Sequence, residues 1–291
     1  MRDTARQQLT LVTGVARPSG LRGKSRPSAG FFRLWIQANR LDMKSHKNDI
    51  RYQAYRSQAR NLAAELLSGQ PDLLREGIDP LQVRFEPITD EAIEACHLWG
   101  EEAELFPWEN VPSWKATDRR GFDLSLWYGP ELCGLCYATP RQSSICIKII
   151  LLEGKPDRSH PLKGEVASLA LLAIDYYARM IKCTEIEVQD PEPRAVPWYQ
   201  ELGFDYTEDG RLVIQVNASY DEPQPIDTEV SIPATKRQTK PLITLDAVAH
   251  FEAEARRLAG RVSENQLRFL KVAKAKGKEM EPVGRMAGAR A

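Results

Sequence analysis

A turn between residues 158 and 166 carries the residue types that bind anions in proteins. It reads Arg158-Ser-His-Pro-Leu-Lys-Gly-Glu-Val166 and lies between an apolar run and a long helical pattern. Where a turn opens a helix after a strand, free backbone N–H groups and the positive end of the helix dipole point at one place. Gly164 permits close approach to the backbone, and Lys163 adds a positive charge suited to a phosphate. We therefore expect the chemistry of this chain around residues 145–206.

Other candidate centres have less support in the sequence. Cys133-Gly-Leu-Cys136 is a CxxC pair, but no second pair follows at zinc-ribbon spacing. Residues three apart on a strand face opposite sides of the sheet, so we interpret both as ordinary strand cysteines. No Ser-His-Asp arrangement or carboxylate pair for hydrolysis is apparent, and the four histidines have no metal-ligand spacing. We therefore expect no metal. The histidines are His46, His97, His160 and His250.

Composition limits the class of protein. The chain has 291 residues, of which 42% are hydrophobic, and 40 basic residues balance 40 acidic ones. This suffices for a core and shows no overall bias toward nucleic acid or membrane. Five cysteines without the spacing of a disulfide scaffold favour a reducing, cytoplasmic setting. No apolar run approaches the ~20 residues of a membrane span, and the N-terminus lacks the apolar segment of a secretory signal.

Periodicity predicts the elements that position the turn. Strands are predicted at 81–88 and 184–189, β-hairpins at 122–138 and 206–216, and a strand buried on both faces at 145–152. Helices are predicted from Thr89 toward Leu105, over 166–181, and over 193–202 with Gly203 as the left-handed stop. Residues 107–120 predict an irregular loop, whose Trp108 and Trp114 suggest an apolar or aromatic rim.

The remaining chain forms extensions on either side of this core. We expect a disordered basic extension over 1–47, with Met43 as an alternative start, and a helix with its connector over 48–80. The catalytic domain is predicted over 81–218. A Pro-rich linker follows over 219–242, and one C-terminal helix with a basic tail over 243–291.

The segment Val196-Pro-Trp-Tyr-Gln-Glu-Leu-Gly-Phe204 resembles the GNAT superfamily of acyl-CoA-dependent N-acyltransferases. That family has a helix ending in a tyrosine, a few residues, and then Gly-Phe. The resemblance covers roughly residues 81–216 and implies an α/β (α+β) fold, with a mixed, mostly antiparallel central sheet flanked by helices. The sequence departs from the family at the pyrophosphate turn. There the family has Gln or Arg, two residues, Gly, one residue, and Gly or Ala, whereas this chain has the single Gly164.

The resemblance also implies roles for individual residues. Tyr199 is expected to be the acid that protonates the departing thiolate, and Glu153 or Glu102 the base that accepts the proton of the amine. The main chain of one strand would pair with the pantetheine amides, and the turn would hold the phosphates. The residues of the strand are Ile149, Ile150, Leu151 and Leu152, and those of the turn are His160, Lys163, Gly164, Glu165 and Val166.

The implied activity is direct transfer of an acyl group, with acetyl-CoA as the co-substrate, to a primary amine. The acceptor remains open between a small molecule, a protein and an RNA-linked amine, and a homodimer is one option for the assembly. One alternative is a degenerate member that binds acyl-CoA or a partner without catalysis, since the turn has a single glycine. Another is a nucleic-acid-associated protein that uses the basic ends of the chain.

Overall fold

The computed structural model describes residues 29–100, 106–140, 145–157, 159–216 and 245–279, and the single positions 103 and 143. The chain divides into two units, Met1–Ser45 and His46–Ala291, and the sheet and the site lie in the second. No helix within the described ranges has the length and apolar composition needed to cross a bilayer. Three expectations lie outside these ranges: the Pro-rich linker, the end of the basic tail, and Glu102. Of the disordered extension expected over 1–47, residues 1–28 also lie outside them. Residues 29–47 are instead part of a helix over Ala29–Ser68, so the helix expected from residue 48 begins earlier. The predicted domain boundaries remain predictions.

A seven-stranded sheet forms the centre of the second unit, with the strand order β1-β2-β3-β4-β5-β7-β6. Only β4 and β5 pair in parallel, and every other neighbouring pair is antiparallel. The fold class expected from the GNAT resemblance, a mixed and mostly antiparallel sheet flanked by helices, is confirmed. The strands are β1 (Val83–Glu86), β2 (Phe122–Tyr128), β3 (Glu131–Thr139), β4 (Cys146–Gly154), β5 (Glu185–Val188), β6 (Asp205–Tyr206) and β7 (Leu212–Gln215).

Seven α-helices accompany the sheet in the described ranges. The central helix α4 is buried over almost its whole length and shares a hydrophobic core with residues of α1, α5, α6 and α7. A second core lies between α2, α3 and the opposite face of β3, and has Trp108 at its centre. The helices are α1 (Ala29–Ser68), α2 (Asp90–His97), α3 (Val111–Thr117), α4 (Val166–Met180), α5 (Val196–Glu201), α6 (Leu245–Ala259) and α7 (Glu264–Glu279).

Three expected elements differ from those observed. Helix α2 ends at His97 rather than near Leu105, and Gly100 follows in a left-handed conformation with φ +87°. The predicted irregular loop instead contains α3, which has a proline in its first turn where the missing N–H costs no hydrogen bond. The single C-terminal helix is two, because the chain breaks at Gly260, whose φ is +62°.

Two β-bulges change which side chains share a face of the sheet. In β3, Gly134 pairs with Leu126 of β2 and Leu132 pairs with the next residue, Trp127. Cys133 is therefore the additional residue. As a result Cys133 and Cys136 lie in the same core and do not face opposite sides, which corrects the expectation from strand alternation. In β4 the register against β3 passes from Leu151 to Ile149, so Ile150 is the additional residue. Ile150 and Leu151 consequently both pack against the second core.

Candidate functional site

The parallel strands β4 and β5 pair over only part of β4. Their register ends at Ile149 and Val188, and the N–H of Gln189 donates to the carbonyl of Ile149 at 3.1 Å. Strand β4 continues to Gly154, whereas the chain after β5 leads into α5. Within the described part of the chain, the edge of β4 beyond Ile149 therefore has no strand partner on the β5 side. Backbone N–H and C=O groups at such an edge are free to bind an extended ligand.

The turn before α4 has the geometry expected of an anion site. Gly164 has φ +84°, a conformation that favours glycine. Within the turn, the N–H of Lys163 donates to the carbonyl of His160 at 3.1 Å, and that of Glu165 to the carbonyl of Leu162 at 3.0 Å. The side chain of Glu165, the N-cap residue, makes no capping hydrogen bond to α4, and the first amides of a helix lack intrahelical acceptors. The amides of Val166 and of the residues that follow it in the first turn are thus available to a ligand.

A cleft of about 390 Å³ joins the end of β4, this turn and α5. Of the predicted site residues, Leu152, His160, Lys163, Gly164, Val166 and Tyr199 line it. Ile149 instead lies in the core, and Ile150 and Leu151 pack on the opposite side of the sheet. The side chain of Glu165 is buried, and one of its carboxylate oxygens accepts from the hydroxyl of Ser168 at 3.1 Å.

Sequence reasoning missed Lys155, Trp198 and Ala195, which also line this cleft. Lys155 Nζ donates to Glu131 Oε1 at 2.6 Å, and this bond raises the pKa of Lys155. Lys163 Nζ donates to the carbonyl of Pro156 at 3.2 Å. The cleft therefore has two ammonium groups at its turn end. Lys155 could have been predicted from the sequence, because it directly follows the strand β4.

His160 is a buried polar group without a partner. The residue is 3% exposed, and neither ring nitrogen has a hydrogen-bond partner among the described residues. Burial and the nearby Lys163 lower the pKa of His160, so the ring is neutral at pH 7. A neutral imidazole offers one donor and one acceptor, and leaving both unsatisfied in the interior is unfavourable. A ligand in the cleft would supply a partner.

Tyr199 lies on α5 with its ring packed edge-on against Phe204, with centroids 5.6 Å apart. The side chain is buried, and this burial, together with the neighbouring Cys136, raises the pKa of Tyr199. The phenol is therefore protonated at neutral pH. Gly203, with φ +96°, ends the helix and turns the chain so that Phe204 reaches this position.

Glu153, one of the two candidate bases, lies on the other face of β4. It is buried, and its Oε2 accepts a hydrogen bond from Trp108 Nε1 at 2.8 Å. The candidate base Glu153 and the candidate acid Tyr199 thus lie on opposite faces of β4. Glu102, the other candidate base, is outside the described residues. Within those residues, no three His, Cys, Asp or Glu side chains are grouped to hold a metal ion.

A second cleft, of about 330 Å³, lies on the Glu153 face of β4. Its residues come from α3, β3 and the bulge of β4, and they combine an aromatic wall with one carboxylate. Ile150 borders this cleft and Leu152 borders the first. At about 3.3 Å per residue along a strand, these positions are roughly 7 Å apart.

Comparison with known proteins gives structural similarity without sequence similarity. No family model matches the chain, and no curated protein matches it in sequence. The solved structures that resemble it include the ribosomal-protein-S18-alanine N-acetyltransferase of Escherichia coli, at 13% identity, with 49% of this chain and 99% of that chain covered and a TM-score of 0.37.

Two other similar structures also carry the description of an acetyltransferase, and one of them contains acetyl-CoA. The N-acetyltransferase PseH of Campylobacter jejuni matches at 12% identity, over 47% of this chain and 99% of that chain, with a TM-score of 0.35. The protein yncA of Salmonella typhimurium, solved with its cofactor acetyl-CoA, matches at 11% identity, over 48% of this chain and 96% of that chain, with a TM-score of 0.35.

Proposed function

We propose that this protein is an acyl-CoA-dependent N-acyltransferase that transfers acetyl from acetyl-CoA to a primary amine. The observation that carries the proposal is the first cleft. It combines an unpaired edge of β4, the uncapped N-terminus of α4 behind Gly164, and the buried phenol of Tyr199. An extended molecule with a phosphate at one end and a reactive thioester at the other would use all three features.

In this proposal the phosphates of the co-substrate occupy the turn. Gly164 allows the backbone to approach them, and the amides of Val166 and the following residues donate to them. Lys163 supplies positive charge, which compensates for the second glycine that the GNAT turn normally has. Lys155 adds an ammonium group whose charge is balanced in part by Glu131 at 2.6 Å and Asp157 at 3.6 Å. His160 gains a hydrogen-bond partner. The main chain of Ile150 and Leu152 pairs with the pantetheine amides along the free edge of β4.

The chemistry would be direct transfer between bound substrates. The amine nitrogen attacks the thioester carbonyl, the new C–N bond forms, and the C–S bond breaks. Holding the reactants together supplies a large part of the rate enhancement, up to about 7–11 kcal/mol in ideal cases. The nitrogen loses its proton to a base, for which Glu153 and Glu102 remain the predictions. If Glu153 is the base, its carboxylate accepts the proton of the amine while Oε2 accepts the hydrogen bond from Trp108 Nε1.

Tyr199 would donate a hydrogen bond to the departing sulfur. Its raised pKa makes it a weaker acid than an exposed phenol, and an ordinary alkyl thiol has a pKa of only about 8.5. Complete transfer of the phenolic proton to the thiolate is therefore uphill. Its contribution would be to stabilise the developing negative charge on the sulfur.

Calorimetric titration of the full chain with acetyl-CoA tests the proposal. We expect saturable binding to the wild-type protein and at least tenfold weaker binding to Gly164→Ala, because a β-carbon is strained at φ +84° and the turn must rearrange. The matched control is Gly210→Ala, which carries the same strain at φ +80° in the β6–β7 turn, far along the chain from the cleft residues. Absence of binding to the folded wild type, or equal effects of the two substitutions, would contradict the proposal.

A second candidate is a protein that binds acyl-CoA without catalysis. The buried Glu165 beside the uncapped N-terminus of α4 favours it, since a carboxylate there weakens the attraction for phosphate. Saturable acetyl-CoA binding without thiol release, measured across a panel of primary amines, would select this candidate. Thiol release with any amine would select the enzyme.

A further inference from the structure

The second cleft has an aromatic wall formed by one helix and one strand. Trp114 of α3 and Tyr137 of β3 lie with ring centroids 5.4 Å apart and planes tilted by 48°. Ile150, at the bulge of β4, completes the apolar surface. Thr117, Asp118 and Thr139 line the rest. At about 330 Å³ the cleft lies at the lower end of the range for small-molecule sites, roughly 300–1,000 Å³.

Among the residues that the structure describes, Asp118 is the one charged side chain that lines this cleft. Its Oδ1 accepts from the N–H of Arg120 at 3.0 Å, and its Oδ2 from the hydroxyl of Thr139. A carboxylate offers about four acceptor positions, so it retains capacity for a further donor. The two neutral donors fix its orientation without neutralising its charge.

The cations nearest to Asp118 in sequence are engaged with other groups. Lys115 pairs with Asp123 at 2.8 Å, and a guanidinium nitrogen of Arg120 donates to the carbonyl of Ser143 at 3.0 Å. Arg119 pairs with Asp49 at 3.0 Å. Among the residues that the structure describes, none forms an ion pair with Asp118. Its negative charge is therefore available to a ligand.

The cleft also shares strand β4 with the proposed site of the thioester. Its residue Ile150 is two positions from Leu152, which borders the first cleft on the opposite face of β4. The bulge at Ile150 interrupts the pairing with β3 between the two positions. A molecule in the second cleft would thus reach the same short stretch of β4 as the acyl end of a ligand in the first.

We infer that the second cleft binds the acceptor, as a small primary amine with an aromatic or similarly flat apolar body. The ammonium group pairs with Asp118, and the adjoining carbons and ring pack on Trp114 and Tyr137. An alkylammonium beside aromatic faces also gains a cation–π contribution. This inference rests on the proposed function, since it assigns the acceptor of that same reaction. Asp118 binds the ammonium group in this proposal. The proton of the amine is removed by the separate base of the proposed function.

The test uses 2-phenylethylamine as the probe and 2-phenylethanol as its neutral analogue, each titrated into the full chain by calorimetry, with and without saturating coenzyme A. We expect the amine to bind and Asp118→Asn to weaken it at least tenfold, while the affinity for the alcohol stays unchanged. The asparagine oxygen can still accept from the N–H of Arg120, and the Thr139 hydroxyl, which can also accept, can turn to face the amide NH2. Asp205→Asn, which removes an exposed carboxylate on β6, is the matched control and should leave both affinities unchanged.

Two results would overturn the inference: no saturable binding of the amine under either condition, or equal affinities of wild type and Asp118→Asn. Trp114→Leu should weaken both probes, because the ring is common to them, and an unchanged affinity would also count against the site. Failure here is distinguishable from failure of the proposed function. If acetyl-CoA binds but amine binding does not depend on Asp118, only the assignment of the acceptor site is wrong. If the amine binds in an Asp118-dependent way but acetyl-CoA does not bind, the proposed acyltransferase function is wrong.

Discussion

At the residue scale, burial decides which groups of the first cleft are charged. His160 and Tyr199 are both nearly inaccessible, and burial disfavours the charged form of each. The pKa of the imidazole falls and that of the phenol rises, so both are neutral at pH 7. The cleft then offers hydrogen-bond donors on the imidazole and the phenol, and its positive charge comes mainly from Lys163, because Lys155 is paired with Glu131 at 2.6 Å.

Tyr199→Phe tests the role of the phenol. Removing the hydroxyl should lower kcat by about 10- to 100-fold, because a hydrogen bond to the developing thiolate is lost only in the transition state. The dissociation constant for acetyl-CoA should change less than threefold, because the ring and its packing on Phe204 remain. Steady-state thiol release and calorimetry measure the two quantities. An unchanged kcat would remove Tyr199 from the mechanism, and Tyr206→Phe, on exposed β6, serves as the control.

At the element scale, the position of α4 depends on the close approach of its first residue to the sheet. A β-carbon built on Gly134 of β3 would lie 2.3 Å from Val166 Cγ1. The branched side chain of Val166 has little rotamer freedom in a helix, so it cannot simply turn away. The glycine in β3 therefore allows the uncapped N-terminus of α4 to sit against the end of β4, where it borders the cleft.

Gly134→Ala should consequently destabilise the protein by about 1–3 kcal/mol, the usual cost of overpacking, and weaken acetyl-CoA binding by displacing α4. Urea denaturation measures the first effect. Gly154→Ala on the neighbouring strand is the control for stability, since its β-carbon would meet Val166 Cγ2 at an ordinary 3.4 Å. Adding Val166→Ala to Gly134→Ala should recover part of the loss. Equal stability of the two single variants would show that the contact does not position α4.

At the scale of the whole molecule, the C-terminal helices belong to the core of the second unit. Asp175 and Arg179 of α4 form a buried ion pair at 2.9 Å, and the Asp175 carboxylate accepts from the hydroxyl of Ser263 at 3.1 Å. Gln266, also buried, donates to the carbonyl of Leu172 at 3.4 Å. These bonds tie α7 to the back of α4 and so help fix the helix whose N-terminus forms the turn.

Phe269→Ala tests this packing. The side chain is fully buried in the main core, so its truncation should lower the free energy of unfolding by about 3–5 kcal/mol. Leu267→Ala on the same helix is the control, because Leu267 is 49% exposed and its loss should cost no more than about 0.5 kcal/mol. Both are measured by denaturant unfolding of the full chain. Similar small effects would mean that α7 contributes little to the stability of the sheet.

Predictions from the sequence succeeded where neighbouring residues determine the structure. The alternation in the two hairpins, the apolar stripe of α4 and the Tyr199-to-Phe204 segment all correspond to observed elements. Cys133 and Cys136 are strand residues, as predicted. The expectation that they face opposite sides was wrong, because side-chain direction has a period of two and one additional residue at Cys133 reverses it. Such a bulge depends on the register with β2, which local sequence does not specify.

The sequence by itself determined the order of strand, glycine turn and helix, because φ preference and helix periodicity are local properties, and it predicts an anion site there. Only the tertiary structure decided which residues from other parts of the chain line the clefts. Lys155 and Trp198 come to the first cleft from separate elements. The second cleft exists because α3, β3 and the β4 bulge bring Asp118, Trp114 and Ile150 together. The physical reason is that long-range packing and strand register, rather than residue order, set the distances between side chains far apart in the chain.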